Sequence, residues 1–139
     1  MRFEFSAGGI VHKKEAGSIY ILLGQHSGHK GWVFPKGLIG DHKKGEGKEE
    51  AAIREVKEET GVEAKIEKAL TPITYWYVWD EEKRRKTVYY FLMKAVGGDV
   101  KKHDWEMSQV KWTEKEKVEQ TLTYPSDKKV WKEARKLLK

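Results

Sequence analysis

Arg54-Glu55-Val56-Lys57-Glu58-Glu59-Thr60-Gly61-Val62 is the stretch on which the reading of this 139-residue chain turns. Residues 47–60 carry strong helix formers, and Gly61 stands just past the last of them, where helices commonly stop. At about 100° per residue, such a helix brings Glu55, Glu58 and Glu59 within an arc of roughly 100° on one face. Like charges at i, i+3 and i, i+4 repel, by about a few tenths of a kcal/mol per exposed pair. Three carboxylates converging beside Arg54 form a hard-oxygen site suited to Mg²⁺, with Mn²⁺ as an alternative. Taken alone, the same pattern also describes a solvated, Glu-rich helix face.

The residues upstream change that balance. Gly40, five residues, Glu46, seven residues, Arg54-Glu55, the aliphatic Val56, one residue, Glu58-Glu59, one residue, Gly61 and the aliphatic Val62 form one spaced pattern. Its fixed identities, at roughly 7% usage each, coincide by chance with a probability on the order of 10⁻⁸ per start site. The pattern matches the Nudix box at every fixed position, and the chain resembles a Nudix hydrolase. The flanks extend the likeness. Trp32-Val33-Phe34-Pro35-Lys36-Gly37 resembles the lead-in to the box in the family's diadenosine polyphosphate hydrolases, and Lys86-Thr87-Val88-Tyr89-Tyr90-Phe91-Leu92 resembles a later strand of that subgroup. Trp105-Glu106, followed by Val110-Lys111-Trp112, is similar to the place where such enzymes carry another glutamate. One departure stands out: Gly37 and Gly40 are both present, three residues apart, so the loop to Glu46 is longer by three. Either glycine is then the counterpart of the first box glycine.

The resemblance assigns roles. It makes Glu55 and Glu59 metal ligands, with Glu58 sharing the metal or acting as base. The carbonyl of Lys36 is the backbone ligand, and Glu106 is a second base or ligand. Arg54, paired with Glu46, orients the glutamates through charge-assisted hydrogen bonds. Gly37, Gly40, Gly45 and Gly61 permit tight backbone at the two helix ends. Lys36 and Lys86 lie in the segments that resemble substrate-contacting regions and are the expected phosphate binders. His29, with His26 and Lys30, sits in the loop before Trp32 as a candidate contact to the terminal phosphates, and Arg84 and Arg85 are expected at a solvated hairpin tip. Tyr75, Tyr77 and Trp79 share one face of a strand and Trp76 takes the other. Tyr77, Tyr90 and Tyr124 are the base-stacking candidates, each against the commoner fate of core packing.

Around the box, residues 2–12 read as a strand broken by Ala7-Gly8-Gly9, and residues 19–24 as a buried strand. Residues 36–45 read as a loop, and residues 64–70, 73–79, 87–96 and 110–113 as strands. The polar residues 80–86 make the turn of a hairpin. A helix over 115–122 and a last one capped by Ser126 or Asp127, with Val130, Ala134, Leu137 and Leu138 on one face, complete the list. This is a mixed α/β pattern forming one domain over residues 1–139. The resemblance implies an α/β/α sandwich with a mixed central sheet.

Composition sets the outer limits. The absence of cysteine excludes disulfide scaffolds, thiolate metal sites and cysteine nucleophiles. No apolar run approaches the roughly 18 residues of a membrane span, so the expectation is a cytoplasmic protein with no membrane partner. The net charge of +6 suits a polyanionic partner or a lysine coat equally. Charged residues reach 36%, asparagine is absent, and glutamine occurs only at Gln25, Gln109 and Gln120. This composition points to a heat-stable protein from a thermophile.

The resemblance further implies Mg²⁺-dependent hydrolysis of a nucleoside diphosphate linked to another moiety. The expected substrate is a dinucleoside polyphosphate, with diadenosine tetraphosphate giving ATP and AMP. The alternatives are a mutator-type hydrolase of oxidised nucleoside triphosphates, a pyrophosphohydrolase of RNA 5′ ends, and a catalytically silent nucleotide- or RNA-binding module.

Overall fold

The computed structural model describes residues 1–40 and 44–138. Its elements run β1 Arg2–Glu15, β2 Ser18–His26, β3 Trp32–Val33, β4 Lys36–Leu38, α1 Lys48–Thr60, β5 Val62–Ala69, β6 Ile73–Trp79, β7 Glu82–Gly98, β8 Met107–Glu114, α2 Val118–Thr121 and α3 Pro125–Leu137. The strands form one sheet in the order β3-β2-β1-β7-β5, with β4 on β1, β6 on β7 and β8 on β2. β1 and β7 run parallel, in register from Arg2 with Arg84 to His12 with Lys94. The other pairings are antiparallel, so the sheet is mixed.

Alternation along the strands builds two cores, because successive side chains leave opposite faces. Ile10, Ile21, Leu23, Val88, Tyr90 and Leu92 face α2 and α3, where Val118, Val130, Trp131 and Ala134 meet them. Val11, Leu22, Phe91 and Met93 face Ala51, Ala52 and Val56 of α1. The result is an α/β/α sandwich. α1 ends as its sequence dictates: Gly61 takes φ 79° and its N–H closes onto the Lys57 carbonyl. A Cβ at Gly61 would meet the Asp99 carbonyl oxygen at 2.1 Å, so close packing demands glycine there as well.

Several expectations about elements are corrected. β1 is continuous through Ala7-Gly8-Gly9 and reaches Glu15. Those glycines mark close approach: a Cβ on Gly8 would meet the Pro35 oxygen at 2.2 Å, and one on Gly9 would meet Met93 Sδ at 2.7 Å. Residues 36–38, expected in a loop, form β4 and pair with Ser6, Ala7 and Gly8. The hairpin turn shrinks to Asp80 and Glu81, with φ of 51° and 59°, as a two-residue turn between twisted strands requires. Arg84, Arg85 and Lys86 therefore belong to β7. Neither Ser126 nor Asp127 caps α3; the helix starts with Pro125 in its first turn, after Tyr124. Leu137 is 38% exposed, and Trp131 takes the core position instead. Residues 41–43 of the loop leading to Glu46 lie outside the described residues.

Candidate active site

The register of the sheet and the pitch of α1 bring the box residues to one end of the sandwich. Arg54 is the hub. Its Nε donates to Glu46 Oε2 at 2.7 Å and its Nη2 to Glu46 Oε1 at 2.9 Å, a two-pronged pair. Nη1 donates to Glu55 Oε1 at 2.6 Å and to Glu58 Oε2 at 3.0 Å, while Nη2 also reaches the Leu38 carbonyl at 3.2 Å. These bonds, with Glu46 first, raise the Arg54 pKa, so it stays charged. The backbone N–H of Gly40 donates to Glu46 Oε1 at 3.0 Å.

Gly37 and Gly40 have different tasks. A Cβ at Gly37 would sit 2.1 Å from Glu55 Cδ, so this glycine lets β4 pass directly over the carboxylate. Gly40 takes φ 80° and ties the loop to Glu46. Next door, Lys36 N–H donates to Glu59 Oε1 at 3.0 Å.

Glu55 and Glu59 are each 5% exposed. Burial raises the Glu55 carboxyl, and Arg54 partly offsets it. Burial raises Glu59 well above the usual range, and its hydrogen bond with Glu106 pushes it the same way. Glu106 is delivered by an anchored turn. Asp104 N–H donates to the Glu58 carbonyl at 3.2 Å, Glu106 N–H to Asp104 Oδ1 at 3.0 Å, and Ser27 N–H to the Glu106 carbonyl at 2.8 Å. Glu55, Glu58, Glu59 and Glu106 line a cavity of about 740 Å³, and Lys36, Lys86, His26 and His29 line it too.

The chemistry of this donor set fits a divalent cation. Every acidic group is a hard oxygen donor, and the Glu59 and Glu106 side chains approach within hydrogen-bond reach of each other, a pairing of acids that a cation between them would relieve. Among the described residues, no three acidic groups stand in ligating geometry around one point. Glu55 turns onto Arg54, and Glu59 onto the Lys36 N–H.

A second cavity, of about 570 Å³, adjoins the first; His29, Lys36 and Tyr75 line both. Its walls are Tyr75, Tyr77, Tyr124 and Val33, with Tyr90 and Asp127 at its base. Pairing Tyr75 with Lys86 and Tyr77 with Arg84 puts these four side chains on one face. Tyr77 donates its hydroxyl to Glu4, which lies opposite Lys86 in the parallel register. Burial lowers the Lys86 pKa, and the nearby Lys36 lowers it further.

On the opposite wall, Gly31 N–H donates to His29 Nδ1 at 2.9 Å and Tyr124 Oη lies 2.8 Å from the same nitrogen. The neutral ring therefore carries its proton on Nε2. His26 stacks on His29 with centroids 4.2 Å apart and planes 6° apart.

The structure gathers Arg54, Glu46, Glu55, Glu58, Glu59, Glu106, Lys36, Lys86, His29, Tyr77 and Tyr124 at the two cavities or their supports. Tyr90 is the exception among the stacking candidates. It is 2% exposed, packs edge-to-face on Phe34, and donates its hydroxyl to Asp127 at 3.2 Å. It forms the floor and offers no free ring face. Lys30 takes φ 63°, and its N–H closes the turn onto the His26 carbonyl.

Sequence reasoning missed Asp104, Asp127 and Glu4 as site residues. Asp104 sits two residues from Glu106, a signal that was available. Asp127 resembles a helix cap in sequence, and Glu4 is brought in only by strand register.

The NUDIX domain family model matches residues 3–135. MutT4 of Mycobacterium tuberculosis, named as a mutator protein, is 35% identical over 141 residues, covering 97% of this chain and 56% of its own length. An 8-oxo-(d)GTP phosphatase of Mycolicibacterium smegmatis is 34% identical over 99 residues, covering 71% of this chain and 28% of that protein. The chain thus spans about half or less of the curated relatives it matches. The structure of a C. elegans Ap4A hydrolase binary complex superposes with a TM-score of 0.77 at 27% identity, covering 97% of each chain. With a family model spanning nearly its whole length, the chain belongs to the Nudix family.

Proposed function

We propose that this chain is a pyrophosphohydrolase that cleaves phosphoanhydride bonds in dinucleoside polyphosphates, giving ATP and AMP from diadenosine tetraphosphate. One observation carries the reading: a carboxylate-lined cavity and a tyrosine-lined cavity adjoin through His29 and Lys36. One takes the reacting phosphates and the other a nucleoside.

Glu55, Glu58 and Glu59, with the Lys36 carbonyl, would hold a divalent cation, Mg²⁺ or Mn²⁺, which would neutralise charge on the phosphoryl oxygens when bound. Arg54 keeps Glu55 and Glu58 oriented through its fixed fork of donors. Water attacks one phosphorus in line, an O–P bond forms, and the anhydride P–O bond opposite breaks. The proton leaves the water for the carboxylate of Glu106 or Glu58. Lys36, Lys86 and the His29 Nε2–H hold the departing polyphosphate. Tyr77 and Tyr124 flank the base; stacking on such rings is worth about 1–3 kcal/mol per base. Lys86, whose charged form burial disfavours, gains more from a phosphate than a solvated lysine does, because the attraction is less screened there.

The second reading is a mutator-type hydrolase of oxidised nucleoside triphosphates, favoured by the names of the two curated relatives. RNA 5′-end hydrolysis has only the net charge of +6 behind it. The buried carboxylate cluster argues against a silent binding module, which gains nothing from its cost.

Purified protein with Mg²⁺ is offered diadenosine tetraphosphate, oxidised guanosine triphosphate, ADP-ribose and 5′-triphosphorylated RNA, and products are resolved by chromatography. The proposal expects fastest conversion of the first compound to ATP and AMP, abolished by chelation. Preference for the oxidised triphosphate overturns the substrate class in favour of the second reading.

A further inference from the structure

Trp105 is the most exposed large apolar side chain among the described residues, at 81%. It is not on a loose loop. Its neighbours are tied down by the bonds of Asp104 to Glu58 and of Ser27 to Glu106, so the indole is held outward from a fixed backbone. Trp105 is among the residues that line the carboxylate cavity, with Glu55, Glu58, Glu59 and Glu106. Among the described residues, no other ring or cation stacks on it.

The tyrosine cavity does not include Trp105, whereas His29, Lys36 and Tyr75 are common to both cavities. The site is therefore laid out with tyrosines in one cavity, Lys36, His29 and Tyr75 at the junction, carboxylates in the other cavity, and Trp105 beside the carboxylates. A mononucleotide seated on the tyrosines leaves Trp105 uncovered. A ligand with a base at each end of a polyphosphate has a ring for each.

Resting on the hydrolase reading above, we propose that Trp105 is the stacking platform for the second nucleoside, and that this residue selects dinucleoside polyphosphates over mononucleotides. An indole suits the task, since every base has a π-face and stacking tolerates any of them. Trp105 acts through binding alone, and the bond-breaking groups are those already named.

The test compares kcat/KM for diadenosine tetraphosphate and for adenosine 5′-tetraphosphate, which carries the same phosphates and lacks the second nucleoside. Wild type, Trp105→Ala and Trp105→Phe are measured, with circular dichroism confirming that each variant is folded. The wild type favours the dinucleotide. Trp105→Ala lowers the dinucleotide-to-mononucleotide ratio by about 5- to 100-fold, toward one, and Trp105→Phe restores most of it. A ratio unchanged by Trp105→Ala, through equal losses or none, overturns the proposal and leaves the hydrolase reading standing. Turnover of neither compound by the wild type overturns the dinucleoside polyphosphate reading and the proposal with it.

Discussion

Removing Arg54 tests how the helix carboxylates are held. In Arg54→Ala, Glu46 and Glu55 lose their guanidinium partner while their side chains remain only 3% and 7% exposed. Breaking a buried ion pair from one side costs about 3–5 kcal/mol, because a charge is left without compensation. Protonation of one stranded glutamate, together with the 18% exposure of Arg54 itself, brings the expected loss to the lower end, about 3 kcal/mol. For a domain of this length, that lowers the melting temperature by about 10 °C. Arg54→Lys keeps the charge and loses the fork, so it recovers roughly half of the loss. Calorimetric melting at low and high salt is the assay, and the deficit persists at 1 M salt, since the pairs are shielded from solvent ions. Hydrolysis provides a second reading: Arg54 orients groups and touches no substrate, so kcat falls further than KM rises. A melting point for Arg54→Ala within 2 °C of wild type, or a deficit that salt erases, refutes the reasoning.

Three other outcomes are expected. The Asp127 carboxyl is raised by burial, against the pull of Lys36 and the Tyr90 hydroxyl; the folded state therefore binds its proton more tightly than the unfolded state, and stability falls as pH rises through the folded value. Asp127→Asn keeps an acceptor for Tyr90, so it matches wild type in melting temperature below about pH 4 and exceeds it at pH 7; a constant difference across that range contradicts the assignment. Gly37→Ala drives a methyl into Glu55 and abolishes turnover, whereas Gly40→Ala strains a backbone at φ 80°, costs roughly 1–2 kcal/mol of stability and keeps most activity; the reverse ranking in a hydrolysis assay makes Gly40 the critical glycine. The Lys- and Glu-rich, Asn-free composition predicts a melting temperature above the ordinary range of about 45–65 °C, and a scan inside that range removes the thermophile reading.

What the sequence disclosed follows the range of the interactions involved. Glu55, Glu58, Glu59 and Gly61 were legible because helix pitch is local, and a spacing of three or four residues fixes which side chains share a face. Glu46 as a partner for Arg54 came from the family resemblance, and in the structure the two make a two-pronged contact. Glu4 was not legible. It meets Tyr77 and lies beside Lys86 only because β1 and β7 run parallel in one register, a pairing between segments some 80 residues apart. Gly8 and Gly9 were misread as a strand break because the atoms that require them, Pro35 O and Met93 Sδ, come from other elements. Tyr90 and Tyr77 share strand-like surroundings in sequence; Phe34 and Trp131 bury the region of the first, while the second stays at the cavity wall. Asp127 read as a cap because Asp near a helix start usually is one. Its partner is Tyr90, across the core.

The central claim is that the buried carboxylates of α1 carry out metal-dependent hydrolysis. The most direct measurement is turnover of diadenosine tetraphosphate by wild type and by Glu59→Gln in saturating Mg²⁺, with product analysis and a melting curve for each. Glu59→Gln keeps an acceptor for the Lys36 N–H and removes the ionisable oxygen donor that would ligate the cation, at a position that is 5% exposed. The expected result is a folded variant whose turnover is lower by about 10² or more, and a wild type silenced by chelator and revived by Mg²⁺. Turnover by Glu59→Gln at the wild-type rate contradicts it.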